Sequence, residues 1–273
     1  MARRTLQELN LLDDFLFGSV LTHPGIGEEF SRVLLKVIFH RDFGKLKVIP
    51  QKVFFGRDTD KHGARLDVYL EETPDDEALE TATIYDVEPN LRNKAEEVKA
   101  LPKRMRFYHS VIDSVSLESG MDYQSLKRVV VIMIVPFDPF GYDHMVYTVS
   151  NRIIELPDAD YEDGAKTLFL YTKGKKGKRT EELAQLLEYM EHSTEENVKN
   201  ETLKKIHHMV ETVKHDKGVS IEYMKSFERE RELIEKGRKL EQENTEKERA
   251  RADAAEKEVE RLKAELEKLK TNL

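Results

Sequence analysis

Apolar and polar positions along the chain follow two different periods, and the switches between them mark its elements. Residues 5–20 set Leu6, Leu9, Leu12, Phe15, Leu16 and Val20 at helical spacing, which predicts an amphipathic first helix. Pro24 and Gly25 break it, and residues 28–40 predict a second helix, apolar at Phe30, Val33, Leu34, Val37 and Ile38. Residues 48–55 read as a strand and 56–63 as a polar turn. Over 65–71, Leu66, Val68 and Leu70 alternate with Arg65, Asp67 and Tyr69, so the two sets fall on opposite faces of a strand. An acidic loop over 72–80 leads to a strand over 81–88, which Pro89 ends because proline cannot donate to the ladder. Residues 95–117 predict a long helix that Pro102 splits or restarts. The unbroken apolar run at 129–135 is the signature of a strand buried on both faces. A turn at 136–142, strands at 145–149 and 167–172, and a basic glycine loop at 174–179 follow. Helices then run from residue 181 to the end, with breaks near Ser193 and Gly218.

Helices, three strands, a helix, more strands and then helices make an α/β fold, a central mixed sheet flanked by helices. At 273 residues the chain has enough material for one good core and an appendage. Aromatic and β-branched residues concentrate before about position 175, and beyond about 225 the sequence is almost all Glu, Lys, Arg, Ala and Leu. This shift divides it into a folded domain over 1–190, a helical extension over 191–224 and a charged helix over 225–273. Within that last helix, Ala252, Ala255, Val259, Leu262, Leu266, Leu269 and Leu273 alternate spacings of three and four. The pattern predicts a coiled-coil-like helix for homo-oligomerisation or partner binding. A single charged helix held by i,i+4 pairs is the alternative.

Charge and cysteine content narrow the chemistry. A formal net charge of −8 means that no global basic field draws in nucleic acid, so any DNA affinity rests on local basic patches and is steeply salt-dependent. The absence of cysteine excludes disulfides, Cys-based zinc sites and thiol catalysis. The polar N-terminus does not resemble a signal peptide, and no apolar run approaches the roughly 20 residues that span a bilayer. A cytoplasmic protein without a membrane partner is therefore the expectation.

Two segments carry candidate chemistry: Arg65-Leu66-Asp67-Val68-Tyr69 and Tyr85-Asp86-Val87-Glu88-Pro89-Asn90. Each sets a carboxylate, Asp67 or Glu88, across the strand from apolar neighbours, and the short connection makes an antiparallel hairpin the economical pairing. Asp67 and Glu88 then converge on an oxygen-rich site of the kind preferred by Mg²⁺ or Mn²⁺. Two acids on exposed strand faces, with no site between them, are the plainer reading of the same residues.

The stretch from about Asp13 to Tyr189 resembles the PD-(D/E)XK nuclease family transposases, also described as recombination-promoting nucleases. The resemblance is carried in order by Leu12-Asp13-Asp14-Phe15-Leu16-Phe17, Arg65-Leu66-Asp67-Val68, Ile84-Tyr85-Asp86-Val87-Glu88 and Leu101-Pro102-Lys103-Arg104-Met105-Arg106-Phe107-Tyr108. Gly120-Met121-Asp122-Tyr123, Phe137-Asp138-Pro139-Phe140-Gly141 and Asp163-Gly164 complete it. It implies a restriction-endonuclease-like core and a metal-dependent DNA endonuclease linked to recombination or mobile elements. Asp67 and Glu88 would be the metal-binding acids, the Pro89 carbonyl a further ligand, and Asp14 an additional acid. Asn90 departs from the pattern, which has Lys, or in this family Gln, two residues after the second acid. Asparagine orients water through its amide and supplies no charge. Lys94 or Lys99 is a candidate substitute for that charge. A catalytically impaired nuclease-fold protein that binds DNA or a protein partner is the alternative.

Arg65, Arg104, Arg106 and Tyr108 are candidate nucleic-acid contacts. The last three are read as opening the helix after Glu88, where arginine suits bidentate phosphate contacts but opposes the helix dipole. The loop Lys173–Arg179 lacks Walker spacing and reads as an exposed basic loop, with a basic loop that helps hold DNA as the alternative. His207, His208 and His215 read as surface histidines, with no third zinc ligand near them in sequence.

Overall fold

The structure, a computed structural model, describes residues 4–50, 53–54, 64–65, 68–73, 82–117, 120–177 and 180–271. It divides into two units, Met1–Val219 and Ser220–Leu273. The first unit is α/β, and the second consists of most of one long helix.

The N-terminal segment departs from its helical pattern. Leu6–Glu8 form a single 3-10 turn, and the first α-helix, α1, spans Asp14–Thr22. Competing hydrogen bonds explain the difference. The Thr5 N–H donates to the Glu8 carboxylate at 2.6 Å, and the Asp13 carboxylate caps α1 by accepting from the Phe15 N–H. Between them the chain is tied to a distant helix end: the Leu12 N–H donates to the Met190 carbonyl, the Leu11 N–H to the Ser193 hydroxyl, and the Asn10 amide to the Glu191 carbonyl. Donors used in this way cannot continue a helix.

Helix α2, Gly27–Phe39, ends at His40 in the left-handed conformation and leads into strands β1 (Lys45–Pro50) and β2 (Val53–Phe54). The return comprises β3 (Ala64–Arg65) and β4 (Val68–Thr73). The strands read at 48–55 and 65–71 are thus described as four pieces, yet Val53↔Arg65 keeps the register of Pro50↔Val68. Glu72 belongs to β4 rather than to the acidic loop, and the cause is a network buried at Glu72 and Tyr85 and closed from the surface by Arg41. The Arg41 guanidinium grips the Glu72 carboxylate with bonds of 2.8 and 2.6 Å, and the Tyr85 hydroxyl donates to it at 3.0 Å. Burial pushes the Glu72 carboxyl up, but these bonds outweigh it and hold the group below the usual range.

Strand β5, Thr83–Pro89, pairs antiparallel with β4, as the hairpin reading expects, and ends at Pro89. Helix α3, Ala95–Ser116, then crosses to β6, Arg128–Val135, which lies parallel to β5. With β7 (Val146–Ser150) and β8 (Ala165–Tyr171) the sheet has six strands in the order β1-β4-β5-β6-β8-β7. Both β5 and β6 are buried on both faces. One face packs on α3, where Tyr69, Ile84, Val131, Met133 and Phe169 meet Leu101, Met105, Tyr108 and Ile112. The opposite face carries Tyr85, whose ring packs 5.4 Å from Phe39 at the end of α2. Helices α1 and α2 lie against β1 there, joined by α4 (Glu181–Glu191) and α5 (Glu201–Lys214).

The last helix, α6, spans Lys217–Thr271. The break before it falls at His215–Asp216, close to Gly218 as the sequence predicts, where the Asp216 carboxylate accepts from the Val219 N–H and caps the new helix. No helix among the described residues is long and apolar enough to cross a membrane.

Pro102 does not split α3, which is one helix with the proline inside it. An interior proline costs roughly 3 kcal/mol. Leu101, Met105, Tyr108 and Ile112 are all buried on one side of the helix, and each such side chain contributes about 1.5–3 kcal/mol. Packing therefore outweighs the local penalty. Pro102→Ala is expected to stabilise the protein by about 2 kcal/mol, the penalty removed less about 1 kcal/mol for the freedom alanine restores to the unfolded chain. Urea denaturation followed by circular dichroism measures it, and an unchanged or lower midpoint contradicts this account of α3.

Candidate metal and phosphate site

The alternation of β5 determines what its end presents. Ile84 faces α3, so Asp86 and Glu88 face α3 as well, while Tyr85 and Val87 face the other helical layer. Glu88 is therefore not on an exposed strand face. It is 1 % exposed, and Asp86 is 0 % exposed. Asp86 shares the parity of Glu88, and the strand is buried from Ile84 to Pro89, a burial that alternation alone does not reveal. The cross-strand partner of Asp86 is Tyr69. The even-numbered N–H and C=O groups of β5 point to β6, as the Arg128-to-Ala82 and Asn90-to-Ile134 bonds show. Tyr69 and Asp86 thus form a non-hydrogen-bonded pair, the kind that brings side chains closest. Burial, followed by the charge of Glu71, pushes the Tyr69 hydroxyl up to about 12, so it stays protonated.

Helix α3 supplies the other side. The Arg104 Nη2 lies 3.5 Å from the Glu88 Oε2, an ion pair at the long limit of a hydrogen bond. Its Nε donates to the Tyr108 hydroxyl at 2.6 Å, and the guanidinium carbon sits 5.1 Å from the Tyr108 ring centroid. Burial, and then the charge of Glu88, push the Tyr108 hydroxyl up, with Arg104 partly opposing. Tyr108 is therefore a neutral, buried phenol that positions Arg104, and its hydroxyl is not turned outward to nucleic acid.

At the strand end, the Asn90 N–H donates to the Ile134 carbonyl at 2.9 Å. By alternation the Pro89 carbonyl points to the β4 side, where the missing proline N–H leaves no donor to satisfy. The Asn90 Oδ1 accepts from the Arg92 N–H at 3.1 Å, closing an Asx turn that stops the strand. Asn90 is 5 % exposed, and its carbonyl oxygen is already used in this turn. Glu88 and Asp86 offer carboxylate oxygens and Pro89 a carbonyl, a set suited to a hard cation. Among the described residues, no group of three or more His, Cys, Asp or Glu can hold a metal ion.

The remaining candidates separate. Asp67 lies outside the described residues. Arg65 is in β3, paired with Val53. Asp14 is exposed in the first turn of α1, a helix packed on α2, α5 and β1. Lys94 immediately precedes α3 and Lys99 lies within it, both exposed. Arg104, Arg106 and Tyr108 do not open α3, which begins at Ala95 with Glu96 and Glu97 in its first turn, so the dipole penalty does not apply. Arg106 is on the far side of α3 from Glu88, at a cleft of about 530 Å³ between that helix, β7 and β8.

Sequence gave no warning of that cleft. The His109 Nε2 lies 2.9 Å from the Thr167 hydroxyl, and its Nδ1 is buried with no hydrogen-bond partner among the described residues. Burial pulls the His109 imidazole down, against the smaller opposing effect of Asp163, so the ring is neutral. Asp113 is pushed up by burial and then by Asp163. These residues come from α3, β8 and the loop before β8, and only packing joins them. The basic loop is a tight turn in which the Lys175 and Lys176 N–H groups donate to the Asp143 carbonyl. At Gly177, φ is +85° and a Cβ would lie 2.6 Å from the His144 ring, so that glycine serves packing. Lys178 and Arg179 lie outside the described residues. His207 bonds to the Tyr189 hydroxyl at 2.8 Å, His208 is exposed, and His215 caps α5.

Comparison with family models, with curated proteins and with solved structures yields no match to this chain.

A buried carboxylate deprived of its ion-pair partner is destabilising by several kcal/mol, less where the partner is partly solvated. Arg104 is about a third exposed, so Arg104→Met is expected to cost about 2 kcal/mol. Adding Glu88→Gln should recover at least half of that. A double-mutant cycle in urea measures the coupling, and additive losses in the two single variants would mean that the pair is not coupled.

Proposed function

We propose that this chain is a divalent-metal-dependent DNA endonuclease with a restriction-endonuclease-like core of the PD-(D/E)XK type. The observation that carries the reading is the buried acidic end of β5, with Asp86 and Glu88 on one face beneath Arg104. Buried carboxyl groups are costly to keep ionised, and they concentrate where chemistry requires them. The hairpin of β4 and β5 supports the same reading. Asp67 shares in sequence the parity of Tyr69, which belongs to the face that holds Glu88.

In this reading Asp67 and Glu88 would hold Mg²⁺ or Mn²⁺, with the Pro89 carbonyl as a further oxygen ligand; Asp14, on α1 in the layer that packs the opposite face of the sheet, is left out of the ligand set. When bound, the cation acidifies a water and neutralises charge on the non-bridging phosphate oxygens. Arg104 steadies the Glu88 carboxylate and adds positive charge beside the scissile phosphate. Asn90 orients water through its Nδ2, since its Oδ1 serves the turn. Arg65 and Arg106 contact the DNA backbone away from the cut, and the biological setting is recombination or mobile-element movement.

The engagement of Asn90 favours a second reading, a nuclease-fold protein that binds DNA or a protein partner without cutting. Incubating supercoiled plasmid with the purified chain and Mg²⁺ or Mn²⁺ separates the two. Cleavage is expected, falling at least about 100-fold in Asp67→Ala and in Glu88→Ala. Equal cleavage by both variants rules out the site. No cleavage with any divalent cation, together with salt-sensitive DNA binding, selects the second reading.

A further inference from the structure

The second unit carries an apolar seam with no cover of its own. In α6, Val259, Leu262 and Leu266 are 49 %, 49 % and 55 % exposed, and Ala252 and Ala255 continue their line toward the N-terminus. Spacings alternating between three and four drift only about 20° per heptad around a straight helix, and a left-handed supercoil about a partner is what removes that drift and buries the line. We infer that α6 pairs with the α6 of a second copy of this chain as a parallel, in-register, two-stranded coiled coil over the last three heptads.

Charge selects both the occupant and the direction. With Ala252, Val259 and Leu266 at position a and Ala255 and Leu262 at position d, Arg251 and Glu258 fall at g, and Glu256 and Lys263 at e. In a parallel dimer each g residue meets the e residue five positions later on the other helix. Arg251 then meets Glu256 of the second copy, and Glu258 meets Lys263. Every such pair is opposite in sign and occurs twice by symmetry. The sequence repeats the spacing with Glu265 and Lys270. A fully overlapping antiparallel pairing opposes g with g and e with e; it sets Arg251 against Glu265 and Glu256 against Lys270, but also Glu258 against Glu258 and Lys263 against Lys263, so only the parallel pairing makes every contact opposite in sign. A β-branched residue at a followed by leucine at d, as in Val259 and Leu262, suits two strands. Upstream, Thr245 and Glu248 occupy the same frame, so the seam stops where the alanines begin. Glu258 already pairs within its own helix with Arg261 at 2.8 Å, an exposed contact that leaves its second oxygen available.

The cysteine-free chain gives an unambiguous test on the full-length protein. Residue 255 is at d, facing its own counterpart across the two-fold axis, whereas residue 254 is at c and faces out. Under mild oxidation A255C is expected to form a disulfide-linked dimer and A254C to remain a single chain. Light scattering of the unmodified protein should give a mass approaching twice 31.8 kDa as concentration rises. Glu258→Lys sets like charges against Lys263 and should weaken association about tenfold, and adding Lys263→Glu should restore it. A mass of 31.8 kDa at all concentrations overturns the inference. So does cross-linking of A254C as readily as A255C, or a double charge exchange that fails to restore the dimer.

Discussion

Strand β5 has both faces buried and carries carboxyl groups on one of them, and most of the first unit is organised around that constraint. A central strand with an apolar α3 face would need only packing. With Asp86 and Glu88 on that face, the helix above must bring compensation. Arg104 reaches down to Glu88, and Tyr108 holds Arg104 by a hydrogen bond and by the ring beside it. The opposite face solves the same problem with Arg41, Glu72 and Tyr85. The two networks flank one strand, each joining an arginine, a tyrosine and a glutamate. Their placement differs: the Arg41 network closes the sheet against α2, whereas the Arg104 network sits where β5 ends and the chain turns outward.

Much of this architecture was legible in the sequence wherever one period dominated. The run at 129–135 is β6 nearly to the residue, and Pro89 ends β5 because the missing N–H makes any other place costly. The hairpin that joins Tyr69 to Asp86 follows from alternation and a short connection. Legibility failed where tertiary contacts override local pattern. Residues 5–20 have helical spacing, but the amides of Leu11 and Leu12 are taken by groups about 180 positions away. Pro102 has a helix-breaking chemistry that four buried neighbours overrule.

The candidate site divides in the same way. The identity of its acids is a sequence property, and Glu88 stands out through its neighbours Pro89 and Asn90. Its burial is not, because burial depends on which helix lies above the strand. Arg104 and Arg106 look equivalent two residues apart, yet on a helix that separation turns them to opposite sides, one to Glu88 and the other to the cleft with His109. Asp86 was hidden for the opposite reason, since an acid in a buried strand looks like an exception until the face it shares with Glu88 is known.

The pinning of the N-terminal segment also governs the order in which the molecule can be made. Leu11 and Leu12 bond near residues 190–193, and the Gln7 carbonyl accepts from the Lys214 ammonium at 3.1 Å. The partners of Leu11 and Leu12 are synthesised about 180 residues after them, so these N–H groups are satisfied only once α4 has followed. Leu6, Leu9, Leu11 and Leu12 are all buried in the finished fold. Contacts of such long sequence separation slow folding and lengthen the interval during which sticky surface is open. A chain that stopped before α4 would have all six strands but none of the groups that satisfy Leu11 and Leu12, a natural substrate for chaperones or proteases.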